Sequence, residues 1–343
     1  MKGFKWQALI LMLAIAIPAS AQDLFDIKPV ADGIWAAVAK PHRPENCNSA
    51  IFLLKDGALV VDTGSTPSTG RELVREIKKL TDKPVRYVVN THFHWDHYWG
   101  NEAFVEAWPE VQIISTEMTR ADMLSMGLGN PLIERWKIEI PKTIEKWKAA
   151  LAKSTDEAER AKLQDRITRW GAAVEELKEM HPALPKVTFE RELDLGEGDD
   201  RVEIFWLGRG HTPGDAVVFM PSKHVLASGD LLAGDTPYIG VVTPQEWIQT
   251  LGKLGKLDFE FVIPGHGNVM KGKAGLRLWQ SYLSDVVVET TKAYEAGDSL
   301  EQAREKVVAI LKTRYADKFP PDFQYAVAGN VTTTYRMISG ESD

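Results

Sequence analysis

Residues 91–97 read THFHWDH and place three histidines and one aspartate within seven positions of a chain that has only eight histidines. In an extended segment, side chains two residues apart project to the same side, so His92 and His94 can bind one metal ion. Asp96 and His97 are adjacent and must diverge, which suits a second ion nearby. The spacing is not the helical H-E-x-x-H pattern, because the histidines follow an apolar strand. The motif therefore predicts part of a metal site.

Four further histidines and aspartates follow predicted strands directly. These are Asp62 in LVVDTG, His211 in VEIFWLGRGHTPGD, Asp230 in HVLASGD and His266 in FVIPGHG. Functional groups of α/β proteins gather beyond the carboxyl ends of strands, and neighbouring glycines let backbone approach closely. The pattern brings five histidines and two or three aspartates to one edge. We interpret this edge as a two-metal site, because a chance surface cluster of histidines would not recur at every strand end.

The rest of the chain alternates short apolar runs with charged segments of helical periodicity. Nine runs predict strands: GIWAAVA, SAIFLLK, GALVVDTG, RYVVNTH, VQIIST, VEIFWLG, AVVFMP, HVLASGD and FVIPGHG. Between two of them, TGRELVREIKKLTDK has Leu73, Ile77 and Leu80 at helical spacing. Residues 55–57 predict a hairpin turn. The fold class is therefore α/β, with many strands.

Residues 117 to about 181 predict a helical hairpin inserted into this α/β body. Ser154 and Glu157 have the spacing of a capping box at the start of its second helix. We interpret the segment as either a lid over the site or a dimerisation arm, and its spacing does not choose between them. Two closing helices are predicted at about 274–317. One apolar stripe marks the second hairpin helix: Leu163, Ile167, Trp170, Val174 and Leu177.

The motifs THFHWDH, GHTPGD, SGD and PGHG, in this order, resemble those of the metallo-β-lactamase superfamily of metal hydrolases. The resemblance covers approximately residues 27–116 and 186–295. It implies an αβ/βα sandwich, in which two mixed sheets pack face to face with helices outside and metals at one edge. It makes residues 22–343 one hydrolase domain that carries the helical insertion.

The resemblance also implies a ligand set. His92, His94 and His211 would bind a first zinc ion, Asp96, His97 and His266 a second, and Asp230 would bridge both. Two zinc ions suit this mixture of imidazoles and carboxylates, and iron or manganese stays open. A hydroxide shared by the ions would attack a carbonyl substrate. Asp96 would also act catalytically by steering that nucleophile. For Asp62 we weigh orientation of the ligand loop against a structural role in a turn.

The substrate is less defined than the metal site. Zinc β-lactamases that resemble this chain have a cysteine where Asp230 stands and a lysine where Ala233 stands, and loss of that cation disfavours an anionic β-lactam. His42 and Arg43 offer another contact or belong to a solvated loop. We expect a β-lactam, lactone, ester or thioester substrate. The alternatives are a phosphodiesterase-type hydrolase, an iron sulfur dioxygenase-like enzyme and a non-catalytic binding module. The dioxygenase-like enzyme is disfavoured because Asp215 stands where its histidine is expected.

The N-terminus predicts export. Lys2 and Lys5 precede ten apolar residues, too few to span a membrane, and a small-residue site predicts cleavage after Ala21. Removing residues 1–21 takes the formal charge from −7 to −9, which disfavours nucleic acid as a partner. We expect a periplasmic or secreted protein with a small-molecule substrate and no stable membrane anchor.

Cys47, the single cysteine, can form no internal disulfide and is expected to be a buried or loop thiol. The oligomeric state is not predicted.

Overall fold

Two mixed β-sheets pack face to face in the computed structural model, and helices cover the outer face of each sheet. This αβ/βα arrangement confirms the predicted fold class. The predicted secretory signal and the residues His42 and Arg43 lie outside the described part of the chain. The structure describes residues 24–41, 46–126, 131–320 and 323–341.

The first sheet has seven described strands in chain order. Its pairs are antiparallel from the first strand to the fourth and parallel from the fourth to the seventh. Residues 55 and 56 close the predicted hairpin between the third and fourth strands. The strands are β1 (Phe25–Ala31), β2 (Ile34–Ala39), β3 (Ser49–Leu54), β4 (Gly57–Val61), β5 (Val85–Val89), β6 (Gln112–Thr116) and β7 (Val187–Phe189).

The second sheet has six described strands in the order β13-β12-β11-β10-β9-β8, of which only β11 and β12 pair in parallel. All nine predicted strands are present in the two sheets. The additional ones are β1, β7, β8 and β13, which are short or partly exposed. The strands are β8 (Glu192–Leu195), β9 (Val202–Trp206), β10 (Ala216–Met220), β11 (Val225–Gly229), β12 (Phe261–Pro264) and β13 (Met270–Lys271).

Ten α-helices lie within the described residues. The helix predicted between β4 and β5 begins after Thr66, whose side chain accepts from the Thr69 backbone N–H in a capping box, and Pro67 occupies its first turn. The helices are α1 (Pro67–Leu80), α2 (Trp95–Tyr98), α3 (Asn101–Ala107), α4 (Glu117–Met126), α5 (Pro131–Lys153), α6 (Glu157–Glu179), α7 (Pro244–Leu254), α8 (Ala274–Glu295), α9 (Leu300–Tyr315) and α10 (Phe323–Ser339).

The central core lies between the two sheets. Phe52 and Leu59 of the first sheet and Ile204 and Val218 of the second are fully buried there. Each such side chain contributes about 1.5–3 kcal/mol through burial. This core holds the carboxyl ends of β4, β5, β9, β11 and β12 at one edge of the sandwich, where the predicted metal ligands lie.

Helices α5 and α6 form the predicted hairpin, joined by three residues. The buried face of α6 follows the predicted stripe. The predicted capping box of Ser154 and Glu157 is wrong, because the N-cap is Asp156, whose carboxylate accepts from the Glu159 backbone N–H at 2.8 Å. Asp156 lies at the position where the helix begins, so its carboxylate, and not the Ser154 hydroxyl, caps the first turn.

The C-terminal part differs from the prediction of two closing helices at about 274–317, since α10 adds a third. Its sequence is rich in threonine and valine and contains Gly329, so propensity alone disfavours a helix. Burial of Phe323, Val327, Val331 and Tyr335 against α8 and α9 overrides that preference. Among the described residues, no helix combines the length and the apolar character that a membrane span requires.

Candidate metal centre

Three histidine nitrogens converge at the edge of the sandwich and form a first donor cluster with Asp230. His94 Nδ1 lies 3.0 Å from His92 Nε2 and 2.8 Å from His211 Nε2. The Asp230 Oδ2 atom lies 3.4 Å from His211 Nε2 and 3.8 Å from His92 Nε2. The four side chains can each direct one ligand atom to a common point.

A second donor cluster lies directly beside the first. His266 Nε2 lies 3.3 Å from Asp96 Oδ2, and His97 Nε2 lies 3.5 Å from the same oxygen. The Asp230 carboxylate also faces this cluster, with Oδ1 at 3.4 Å from His97 Nε2 and Oδ2 at 3.6 Å from His266 Nε2. Asp230 therefore lies between the two clusters. All seven predicted site residues are brought together.

Two observations indicate that the donor atoms fit metal ions. A tetrahedral ion with bonds of roughly 2.0 Å separates its donors by roughly 3.3 Å. This separation is close to the spacings of the second cluster and lies between the histidine–histidine distances of the first cluster, 2.8 and 3.0 Å, and its distances to Asp230, 3.4 and 3.8 Å. In addition, His97 Nε2 and Asp230 Oδ1 are buried and have no hydrogen-bond partner. Buried polar atoms are costly when unpaired, so a cation between them would satisfy both. The assignment of the seven residues as ligands remains a prediction.

The loop after β5 reaches both clusters because it changes conformation at His94. The chain is extended at His94, which is the N-cap residue of the short helix α2. Asp96 and His97 lie inside that helix, so their side chains diverge from those of His92 and His94. The motif alone suggests a fully extended loop. The helical turn of α2 instead directs Asp96 and His97 to the second cluster.

Two glycines make room for Asp230. Gly229 ends β11 with a φ of 51°, and a Cβ there would contact the Thr91 side chain closely. A Cβ on Gly265 would overlap the Asp230 carboxylate. The glycines that the sequence places beside the predicted ligands are therefore needed for the close approach of β11 and β12 to the site.

Asp62 supports the site from behind. Its carboxylate accepts hydrogen bonds from His97 Nδ1, the Thr91 backbone N–H and the Thr91 hydroxyl, each at 2.8 Å. Because His97 Nδ1 donates to Asp62, its Nε2 is left as the lone-pair donor for a cation. Asp62 is 1% exposed and has a φ of 59°, a left-handed conformation that non-glycine residues adopt at functional positions.

Buried asparagines fix the same loops, and the motifs did not predict them. Asn48 donates through Nδ2 to the carbonyls of Pro264 and Gly267, on either side of His266, at 2.9 and 2.8 Å. Asn90 and Asn101 bond to each other through their side-chain amides at 2.8 and 3.1 Å, beside the His97 carbonyl. The only sequence signal was their position next to strand ends and motifs.

Cys47 lies beside Asp62 and His97, fully buried. Burial raises the pKa of its thiol, so the group stays protonated. The predicted buried thiol is therefore observed. The position of Cys47 beside Asp62, the residue that supports His97, was not predicted, since no sequence motif surrounds the cysteine.

Asp215 has a structural position. It is 2% exposed and accepts from the Thr212 backbone N–H at 2.9 Å and the Thr212 hydroxyl at 2.7 Å, which closes the loop that carries His211. Burial raises the pKa of this carboxyl to about 7. These bonds engage both carboxylate oxygens, so Asp215 shapes the His211 loop.

The two histidine clusters differ electrostatically. In the first cluster, burial lowers the pKa of His211 to about 3 and lowers those of His92 and His94. In the second cluster, burial acts in the same direction but the Asp230 and Asp96 carboxylates outweigh it, so the pKa values of His97 and His266 are raised well above the ordinary range. The first cluster is therefore ready to bind a cation at neutral pH, whereas the second must release protons to do so.

The helical hairpin packs directly on the ligand loop. Trp95, which lies between His94 and Asp96, has its ring centroid 4.7 Å from that of Trp136 on α5 and 5.4 Å from that of Trp99. Trp136 in turn lies 5.6 Å from Trp170 on α6. The indole rings thus connect the ligand loop to both hairpin helices.

A cavity of about 460 Å³ opens beside His266. Lys40 and Asn46 line it from the first sheet, and Asp235 from the loop after β11. Arg169 of α6 also lines it, and its Nε donates to Asp165. The hairpin therefore contributes to the wall of this cavity. Ala233, at the position where the resemblance of the sequence implies a lysine in zinc β-lactamases, is buried and offers no cation.

The profile of the metallo-beta-lactamase superfamily matches residues 42–266, which includes all seven residues of the two clusters. This chain belongs to the metallo-beta-lactamase superfamily. Membership accounts for the order of the four motifs and for the strand-end position of each donor.

Two curated relatives show the range of the superfamily. The chain is 25% identical over 268 residues to a linear primary-alkylsulfatase from Pseudomonas sp. (strain ATCC 19151), covering 74% of this chain and 48% of that protein. It is 24% identical over 237 residues to a metallo-beta-lactamase type 2 from Bacillus sp. (strain 170), covering 67% of this chain and 70% of the relative. The chain thus spans about half the length of the alkylsulfatase. Both relatives are named as hydrolases.

Solved structures share the fold. A metallo-beta-lactamase from Pontibacter korlensis superposes with a TM-score of 0.54 at 20% identity, covering 76% of this chain and 99% of the other. The DIM-1 metallo-beta-lactamase superposes with a TM-score of 0.52 at 19% identity, covering 76% of this chain and 97% of the other. These likenesses confirm the αβ/βα sandwich.

Proposed function

We propose that this chain is an exported dinuclear zinc hydrolase that cleaves a small carbonyl substrate: a β-lactam, lactone, ester or thioester. The observation that carries the proposal is the pair of adjacent donor clusters that face the two oxygens of Asp230. Three imidazoles with one carboxylate, and two imidazoles with two carboxylates, are donor sets that zinc prefers, and iron or manganese accept them too. Export rests on the signal pattern in residues 1–21.

The protein groups supply positioning and proton transfer. When bound, zinc lowers the pKa of a water ligand towards roughly 7 and polarises a carbonyl. Asp96 is ionised, since His97 and His266 outweigh burial and lower the pKa of its carboxyl. It lies beside both of these histidines and can orient a water or accept its proton. Asp62 fixes the His97 ring so that Nε2 faces the centre.

The cavity beside His266 is our proposed substrate entrance. Its volume lies within the range of small-molecule sites. The wall supplied by α6 supports a lid-like role for the hairpin over a dimerisation arm, because Arg169 and Asp165 reach the cavity.

Sulfate-ester hydrolysis is the second candidate. It is favoured by the alkylsulfatase relative, whose similarity covers more of this chain than that of the β-lactamase. Phosphodiester cleavage would use the same donors. A sulfur dioxygenase-like reaction is disfavoured, because Asp215 stands where its histidine is expected and is bonded within the His211 loop to Thr212.

The test is a substrate panel with the zinc-loaded chain lacking residues 1–21. Initial rates are measured on a chromogenic cephalosporin, a thioester, a lactone, a primary alkyl sulfate and a phosphodiester. We expect the fastest cleavage on a carbonyl substrate, with loss of rate in the Asp96→Asn variant. Fast cleavage of the alkyl sulfate alone would establish the second candidate and refute the first. Zinc-dependent cleavage of none of the five would contradict a hydrolase of either kind.

A further inference from the structure

One aromatic side chain beside the first donor cluster is exposed. Tyr238, in the loop between β11 and α7, is 64% exposed, and its ring centroid lies 6.3 Å from that of His211. Val241, three residues later, is 60% exposed. Single exposed apolar residues are ordinary on protein surfaces, so exposure alone assigns no role to Tyr238. The surroundings of Tyr238 indicate a role.

The loop is fixed on both sides of Tyr238 by a single buried side chain. Asn330 of α10 is 2% exposed. Its Oδ1 accepts from the Ile239 backbone N–H at 3.0 Å, and its Nδ2 donates to the Pro237 carbonyl at 2.7 Å and to the Tyr282 hydroxyl at 2.8 Å. Pro237 and Ile239 are buried, whereas Tyr238 between them is not. These bonds therefore fix the backbone from which the exposed Tyr238 ring projects.

That place is beside His211 of the first cluster, whereas the cavity borders His266 of the second. His211 packs against Tyr238 on one side and against the buried Trp247, at 5.5 Å, on another. The cavity beside His266 lies on the side of the second cluster. A substrate whose reacting bond lies over both clusters would direct one substituent towards the cavity and the other towards Tyr238.

We propose that Tyr238 is a specificity-determining residue that binds an apolar alkyl or aryl substituent of the substrate next to His211, and that Asn330 is its positioning residue. The proposal rests on the proposed function, since it takes the two clusters as the reaction centre. An aromatic ring offers a large rigid apolar face, and fixing the backbone beneath it beforehand reduces the entropy lost on binding. The missing lysine at Ala233 agrees with recognition by an apolar contact at this loop.

The experiment measures binding without turnover. The chain lacking residues 1–21 is loaded with cobalt(II), and dissociation constants of two thiols, mercaptoacetate and its α-benzyl derivative, are determined from changes in the visible spectrum. We expect wild-type protein to prefer the benzyl compound and Tyr238→Ala to reduce that preference about tenfold. The mercaptoacetate constant and the cobalt content should stay within twofold. Tyr238→Phe should retain the preference.

Two further variants separate position from folding. Tyr325→Ala removes another exposed tyrosine, 76% exposed on α10, and should leave both constants unchanged. Asn330→Asp keeps the acceptor for Ile239 but loses both donated bonds, so it should lower the benzyl preference while cobalt content stays unchanged. An unaltered preference in Tyr238→Ala overturns the proposal, as does a wild-type protein that does not distinguish the thiols.

The two proposals fail differently. A benzyl preference that depends on Tyr238, in a protein that cleaves none of the panel substrates, would remove the proposed reaction but keep the binding role. Cleavage of a carbonyl substrate by a Tyr238→Ala variant with unchanged relative rates on acetyl and phenylacetyl esters would keep the reaction and remove the role of Tyr238.

Discussion

At the scale of single residues, the site is a set of donors held by bonds that the motifs do not show. The sequence predicts the seven donors because each follows a strand, and strand ends meet at one edge of a sheet. It does not predict Asn48, Asn90 or Asn101. An asparagine beside a strand end is as common in ordinary turns, and only the fold reveals that its amide meets a distant carbonyl.

Asp62→Asn tests the support of His97. Asparagine tolerates the left-handed backbone of Asp62 and has the same size, but it has only one acceptor oxygen for the bonds from His97 and Thr91. We expect zinc affinity to fall by about 10- to 100-fold, as for other partners of ligand histidines, measured by competition with a chromophoric chelator. Asp56→Asn, in the exposed β3–β4 turn, is the control. Unchanged affinity in the Asp62 variant would show that the bond to His97 has no influence on the metal.

Acidification should empty the second cluster before the first. The pKa values of His97 and His266 are raised, so in the metal-free protein protons compete for these rings above pH 6.5, whereas the pKa values of His92, His94 and His211 are lowered. Cation binding requires neutral imidazoles. As pH falls through the neutral range, we therefore expect one zinc ion per chain to be lost first.

This order can be measured by equilibrium dialysis at stepped pH followed by metal analysis. Assignment of the retained ion uses His211→Ala and His266→Ala, which should weaken the first and the second site respectively. Loss of both ions in a single step, or retention of the second-site ion to lower pH, would contradict the electrostatic difference between the clusters.

At the scale of elements, the sequence predicts the strands and the inserted helices better than their ends. The stripe on α6 and the nine apolar strand runs are periodic signals that long elements repeat many times. The start of α6 at Asp156 and the existence of α10 depend on one capping bond and on tertiary burial. Short or partly exposed strands such as β7 and β13 gain their order from a neighbour, which local sequence does not contain.

The tryptophan contact between the hairpin and the ligand loop is tested by Trp136→Ala. This change removes the ring that lies between Trp95 and Trp170. We expect a loss of about 2–3 kcal/mol in the free energy of unfolding, less than for a fully buried tryptophan, together with weaker zinc binding because the ligand loop loses its support. Denaturant unfolding and chelator competition measure the two effects.

Trp147→Ala is the matched control for that variant. Trp147 also lies partly buried on α5, in the same cluster, and its ring contacts the Arg166 guanidinium at 5.9 Å. We expect it to lower stability without a comparable change in zinc affinity. Equal effects of the two variants on zinc affinity would mean that the hairpin acts on the site only through general stability.

At the scale of the whole molecule, two sheets that bury their inner faces against each other leave one edge where loops from both meet. His92, His94, Asp96 and His97 come from the first sheet, whereas His211, Asp230 and His266 come from the second. Asn48 joins the two halves by bonding the loop of His266. Metal binding should therefore stabilise the whole fold, by about 4 kcal/mol at a metal concentration 1,000 times the dissociation constant.

We propose that Asp230 joins two ions in one centre. The direct measurement is the metal content per chain, by elemental analysis after zinc loading and removal of excess metal, for the protein lacking residues 1–21 and for its Asp230→Ala variant. We predict two zinc ions per chain for the unaltered protein, and loss of both metal and hydrolytic rate in the variant. An Asp230→Ala protein with two zinc ions and full rate, or an unaltered protein that binds a single ion, would contradict the account.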